Sequence, residues 1–153
     1  MKKNFLSENF KNILISAIGA FTCIFLIAYF NSIDKTNLWL IPPFGASLVL
    51  AMALPNSPLA RPKNIILGHV IAASAGVITY QILGNNPLSI GIALGLAIYL
   101  MLITDTTHPP AGANPVLTVL GGESFDFILM PVALGAIFIV AFSITYNRLI
   151  AKS

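Results

Sequence analysis

Charge is scarce in this chain. Of its 153 residues only 8% are Asp, Glu, Lys or Arg, against roughly 25% in soluble domains. A surface so poor in charge would not stay dissolved, and with 57% hydrophobic residues and a mean hydropathy of +0.89 the chain reads as an integral membrane protein. Its eight basic residues, Lys2, Lys3, Lys11, Lys35, Arg61, Lys63, Arg148 and Lys152, are divided between the ends and one loop. They form no dense basic face, which excludes nucleic acid as a partner. The single cysteine, Cys23, stands in an apolar stretch; it allows no intrachain disulfide and is expected to pack. Metal-ligand spacing, a glycine-rich phosphate loop and a set of nucleophile, base and orienter are also missing, so neither a metal, a cofactor nor an enzymatic activity is expected.

What the chain has instead is long apolar runs. Residues 12–30, 64–83, 87–104 and 127–146 each come close to the ~20 residues that a bilayer core requires, and they predict four full spanning helices. The basic start before the first run looks like a secretory leader. No small-x-small cleavage site follows and further apolar segments come later, so a retained first helix is expected. Two shorter apolar stretches, residues 41–54 and 109–120, reach only about 20 Å at ~1.5 Å per residue, against a core of ~30 Å. They predict broken or re-entrant helices. The fold class is therefore an all-α transmembrane domain over residues 1–153, bathed by the lipid bilayer, and six short elements bury so little surface that a homo-oligomer is expected.

Both short stretches open with a proline pair and small residues: Pro42-Pro43-Phe44-Gly45-Ala46-Ser47 and Pro109-Pro110-Ala111-Gly112-Ala113-Asn114. The same gapless register matches Val49 with Val116, Leu50 with Leu117, Leu67 with Leu134 and Gly68 with Gly135. This is the pattern of a two-fold internal repeat, residues 12–83 and 87–147. If the short stretches cross, the second copy is inverted relative to the first, and the N-terminal lysines, Arg61 with Lys63, and Arg148 with Lys152 can all face the cytoplasm together with both termini. If they are re-entrant, Arg61 and Lys63 fall outside. The inverted three-plus-three arrangement suits the basic residues better.

A proline pair marks a helix start, and the residue before it is pushed toward extended backbone. Non-helical backbone survives in a bilayer only when protein covers it or it lines a wet cavity. Gly45, Ala46, Gly112 and Ala113 add almost no bulk, so exposed N–H groups at the two helix starts could receive a small anion; tight helix packing is the other use for such residues. Polar residues gather at the second motif: Thr104, Asp105, Thr106, Thr107, His108 and Asn114; the first has only Ser47, with Asn37 and Trp39 upstream. Ionisable groups at membrane depth are costly and mark pathways, so Asp105 and His108 lead the candidates. His108 could donate to an anion or carry a proton beside it, and an Asp105 contact would orient its ring. The expected substrate-binding set is His108, Pro109, Pro110, Gly112, Ala113, Asn114, Pro43, Gly45, Ala46, Ser47, Thr107 and Asp105. His69 is expected to be a satisfied core or interfacial histidine, Tyr29 and Trp39 to anchor at the membrane interface, and Glu123 and Asp126 to form a solvated turn.

The run Thr104-Asp105-Thr106-Thr107-His108-Pro109-Pro110-Ala111-Gly112-Ala113 resembles the signature of the HPP family of integral membrane proteins, whose name comes from its His-Pro-Pro motif. The upstream Pro42 to Ser47 run is similar to the family's other short motif, and the resemblance covers residues 13–146. It implies four membrane helices and, because plastid and cyanobacterial members are associated with nitrite transport, a transporter or channel for nitrite with no attached sensor, in a bacterial inner membrane. The residues themselves would serve nitrate, formate or chloride equally. Two other classes stay open: an intramembrane enzyme using Asp105 and His108 as acid and base, and a helical assembly subunit of a larger complex.

Overall fold

Prolines start most of the helices. At the first helical position a proline loses no hydrogen bond and brings its φ already set. Pro43, Pro62 and Pro87 each open a helix, and Pro109 opens the turn that leads into another. The structure, a computed structural model, describes residues 2–34 and 36–150, with side chains from residue 10 onward. Lys35 and Lys152, and the side chains of Lys2 and Lys3, lie outside the described residues.

Among the described residues all regular structure is helical. The elements are α1 (Lys2–Ile33), α2 (Pro43–Leu48, prolonged by a π-helical turn over Val49–Ala53), α3 (Pro62–Leu83), α4 (Pro87–Ile103), α5 (Ala113–Gly121, led in by a 3-10 turn over Pro109–Gly112) and α6 (Leu134–Leu149, led in by a π-helical turn over Ile128–Ala133). Three stretches are long and apolar enough to cross a bilayer: Phe10–Ile33, Pro62–Leu83 and Ile128–Leu149. The fourth expected span, α4, is a shorter apolar helix: its 17 residues reach about 25 Å at ~1.5 Å per residue. Its start is set by Asn86, whose side chain caps the N–H of Ser89 at 3.0 Å, and its end by Asp105, which turns the chain at φ 52°.

Hydrogen bonds at both ends give each short segment its course. Midway along α1, Ser16 donates to the Met52 carbonyl at 2.9 Å; near its end, Asn31 Oδ1 accepts from the Trp39 N–H at 2.9 Å. Residues 39–52 therefore run back along α1. Asn64, at the start of α3, donates to the Thr107 carbonyl at 2.9 Å, and Asn85, just past its end, donates to the Leu120 carbonyl at 3.2 Å. Residues 107–120 thus follow α3 from one end to the other. The chain finally returns to its beginning, where the Tyr146 hydroxyl donates to the Ile15 carbonyl at 2.8 Å and Asn147 donates to the Ala51 carbonyl at 3.1 Å.

Helix α3 is the centre, packed against α4, α5 and α6, and its buried Ala72, Ala73, Ala75 and Gly76 let those neighbours come close. At the far end of α1, Asp34 accepts hydrogen bonds from the hydroxyl and N–H of Thr36, from Asn37 and from the Trp39 indole. These bonds, Thr36 first, hold its carboxyl well below the usual carboxylate range.

Gly135 on α6 faces the ring of Phe44, and a Cβ there would overlap the ring edge. Gly95 on α4 has nothing within 4 Å of such a Cβ. Gly135→Ala is therefore expected to destabilise by about 1–3 kcal/mol through overpacking. Gly95→Ala should be neutral or stabilising by about 0.5–1 kcal/mol. Unfolding curves of the two variants in detergent check this, and an undiminished stability for Gly135→Ala would contradict the packing.

Candidate functional site

One stretch of extended backbone brings the second motif onto α3. Residues Asp105 to His108 leave α4 by the left-handed turn at Asp105, and His108 is extended (φ −138°, ψ 100°) as the following proline requires. The Asn64 side chain holds this stretch through the Thr107 carbonyl, and Thr104 and Thr106 pair their hydroxyls at 2.8 Å. Gly68 on α3 lets it lie flat, because a Cβ there would come within 2.9 Å of His108 Cβ and of the Thr106 carbonyl oxygen.

The result is a fully buried cluster of Ser47, His69, His108 and Asn114. Ser47 Oγ lies 2.7 Å from His69 Nε2 and 2.9 Å from His108 Nε2, and 3.2 Å from the Pro43 carbonyl on its own helix. His108 Nδ1 is 2.8 Å from the Leu59 carbonyl. Asn114 Nδ2 is 2.9 Å from His69 Nδ1 and 3.1 Å from the His69 carbonyl. The two imidazole centroids are 5.1 Å apart, and Phe44 meets His69 edge-on at 5.5 Å.

The partners assign the protons. A carbonyl only accepts, so His108 Nδ1 carries hydrogen toward Leu59. Facing the His69 carbonyl fixes the Asn114 amide with its NH2 inward, so His69 Nδ1 accepts and its Nε2 carries the hydrogen toward Ser47. Asn114 Oδ1 is left buried with no hydrogen-bond partner among the described residues. The cluster offers two imidazoles, a hydroxyl and an amide, and among the described residues no three of His, Cys, Asp and Glu come together.

Ser47 and Asn114 occupy matching positions in the register of the two proline-led motifs, and they grip opposite nitrogens of one ring. The sequence alone gives that ring, His69, the role of a satisfied core or interfacial histidine. It is buried and fully hydrogen-bonded, and it is also the hub on which both motifs meet. The available signal was asymmetry: one residue past the matched Gly68 and Gly135, the first repeat has His69 where the second has Ala136. The Leu59 carbonyl carried no signal.

Three expectations about the site are corrected. Asp105 does not contact His108; its side chain is 92% exposed and it pairs with Lys63 at 3.5 Å, because the left-handed turn points it outward. The expected cradle of free N–H groups is closed: Phe44 and Gly45 donate to the Ile41 and Pro42 carbonyls at 3.1 Å, and Ala111 donates to the His108 carbonyl at 2.9 Å. Gly45, Ala46 and Ala113 are exposed on the outside of the bundle, while Pro43 beside Ser47 is buried. Pro109, Pro110 and Gly112 border the cluster rather than enter it, with Pro109 and Gly112 lining a cleft against Leu94 and Ile98 of α4.

His69→Leu would leave the Ser47 hydroxyl and the Asn114 amide short of partners, at about 1–3 kcal/mol for each stranded group. Asp105→Asn removes only an exposed pair worth about 0–1 kcal/mol. Chemical denaturation in detergent should separate the two variants clearly; equal stabilities would contradict the cluster.

Comparison with known proteins agrees with the motifs. The family model for the HPP transmembrane region matches residues 6–153. The chain is 33% identical to a transmembrane protein of Dictyostelium discoideum over 146 residues, covering 88% of this chain and 51% of that one. A second Dictyostelium discoideum transmembrane protein is 33% identical over 135 residues, covering 83% and 43%. The chain thus spans about half the length of the curated relatives it matches. No solved structure matches. With two proline-led motifs closing on one buried histidine cluster, the chain belongs to the HPP family of integral membrane proteins.

Proposed function

We propose that this chain transports a small inorganic anion, nitrite first among the candidates, through the cluster of Ser47, His69, His108 and Asn114. The observation that carries the reading is a fully buried polar cluster inside an apolar bundle, at the one place where both proline-led segments meet. Polar and ionisable groups at membrane depth are expensive and mark solute and proton pathways. Nitrite comes from the association of plastid and cyanobacterial HPP members with that ion. Ring N–H and hydroxyl donors can receive an anion by exchanging one of the bonds they now make with each other.

An inverted repeat supports the same reading, since transporters build their sites at the interface of such repeats. Element neighbours are consistent with exchanging the two halves: α3 packs on α4 and α6 on α1, α3 on α5 and α6 on α2. The second short segment runs the length of α3 and the first follows the second half of α1, which is the course a crossing segment takes. The end that carries Lys11, Arg61, Lys63 and Arg148 is then cytoplasmic by the positive-inside rule.

One contact favours a second reading, an intramembrane hydrolase. Ser47, His69 and Asn114 are joined in the order of a nucleophile, base and orienter. The tautomer opposes it, because a His69 Nε2 that already carries hydrogen cannot take the hydroxyl proton of Ser47.

Uptake of nitrite, nitrate, formate and chloride into liposomes containing the purified protein tests the proposal. Wild type should admit nitrite selectively, and His69→Gln should reduce the flux at least about tenfold, the effect of losing one site hydrogen bond of ~1.4 kcal/mol. Absence of flux for every anion, with labelling of Ser47 by a fluorophosphonate, would move the assignment to the hydrolase.

A further inference from the structure

The hydroxyl of Ser47 has more partners than its protons allow. It has one hydrogen to give and two lone pairs to receive with. His69 Nε2–H, at 2.7 Å, fills one lone pair. Two groups then compete for the single hydrogen: the Pro43 carbonyl at 3.2 Å, which can only accept, and His108 Nε2 at 2.9 Å, which accepts as long as His108 is neutral. Both contacts become hydrogen bonds together only when His108 Nε2 carries a proton of its own.

We propose that the cluster is a binding site for a single proton, held on His108 Nε2, with Ser47 as its switch. In the empty form His69 donates to Ser47, Ser47 donates to His108 Nε2, and His108 Nδ1 donates to Leu59. When a proton arrives from water on His108 Nε2, that nitrogen becomes a donor to Ser47 Oγ, and the hydroxyl rotates to the Pro43 carbonyl. No bond to Ser47 is made or broken. Both forms leave every ring nitrogen and the hydroxyl satisfied, so the loaded form is already built into the geometry.

A second proton has nowhere to go. On His69 Nδ1 it would face the NH2 of Asn114, donor against donor, and a second imidazolium would stand 5.1 Å from the first. Among the described residues no other titratable side chain is hydrogen-bonded to the cluster. Helices α2 and α5 carry no titratable side chain, α4 carries only Tyr99, which is exposed, α3 carries Lys63 and Tyr80 besides His69, with the Tyr80 hydroxyl beside Gly122, and α6 carries Arg148 and Tyr146, which donates to the Ile15 carbonyl. Asp105 is turned outward to Lys63, and Arg61 follows a 3-10 turn over Pro58–Ala60 that presents the Leu59 carbonyl.

Resting on the transport reading above, the site gives the anion a travelling counter-charge. An imidazolium formed inside the bundle neutralises one bound nitrite, so that proton and anion cross together without net charge movement.

The sequence contains only two histidines, which makes the site directly readable. Nitrogen-15 NMR of histidine-labelled protein in lipid, titrated from about pH 8 to about pH 4 around the ordinary histidine value of ~6.5, should show one ring turning to imidazolium and the other keeping its Nε2–H tautomer. The titrating signal should vanish in His108→Gln. Ser47→Ala should lower its proton affinity by about tenfold, since a hydrogen bond to the charged form is lost. Titration of both rings, of neither, or of His108 with no effect of Ser47→Ala would overturn the proposal. In liposomes, an inward nitrite gradient should acidify the lumen with one proton per nitrite, independently of a potassium-valinomycin voltage clamp. Nitrite entry that follows voltage without acidification would overturn the coupling, whereas no nitrite flux beside a normal His108 titration would overturn the transport reading and leave the proton site standing.

Discussion

Backbone that is not helical can lie inside a bilayer only where protein covers it, and this chain meets that condition twice around one histidine. The extended stretch ahead of Pro109 comes to rest against α3 at Gly68, and the Phe44 ring that follows Pro43 comes to rest against α6 at Gly135. Once covered, the segments must pair most of their inward polar groups, because an unpartnered donor or acceptor in that environment costs several kcal/mol. The Ser47 hydroxyl and the Asn114 NH2 find partners on His69, and His108 finds its own in Ser47 and the Leu59 carbonyl, which leaves Asn114 Oδ1 as the one cluster atom without a partner among the described residues. The burial of the proline motifs and the formation of the polar cluster are thus one requirement seen from two sides.

Two similar proline-led motifs build a site whose two sides differ. The matched glycines do the same mechanical work in each half, yet Gly68 receives His108 and Gly135 receives Phe44. One half therefore contributes a ring that can hydrogen-bond, and the other a ring that closes the side of the cluster against His69. The charged residues keep away from this interior: Lys63 and Asp105 pair at the surface, and Asp34 is tied to Thr36, Asn37 and Trp39 at the opposite end of α1.

Much of the frame was legible in the residues. Apolar runs located the long helices, and the proline pairs located both short segments, because proline at a helix start leaves an unambiguous mark. The length of α4 was overread by one residue at its end, where the left-handed Asp105 stops the helix before Thr104. Site chemistry was legible only in part. Ser47, His108 and Asn114 sit inside recognisable motifs, whereas His69 stands alone in a long apolar helix and becomes informative only when the second motif folds across it. The exposed direction of Asp105 depends on a backbone φ that no residue pattern announces, and the Leu59 carbonyl belongs to every residue alike.

The claim on which everything else rests is that Ser47 and Asn114, 67 positions apart, act on the same ring. A double-mutant cycle of Ser47→Ala and Asn114→Ala, read as unfolding free energy in detergent, measures this directly because the two side chains share His69 as a partner. The account predicts non-additivity of about 0.5–3 kcal/mol; effects that add within about 0.3–0.5 kcal/mol would mean that the two motifs do not meet on His69.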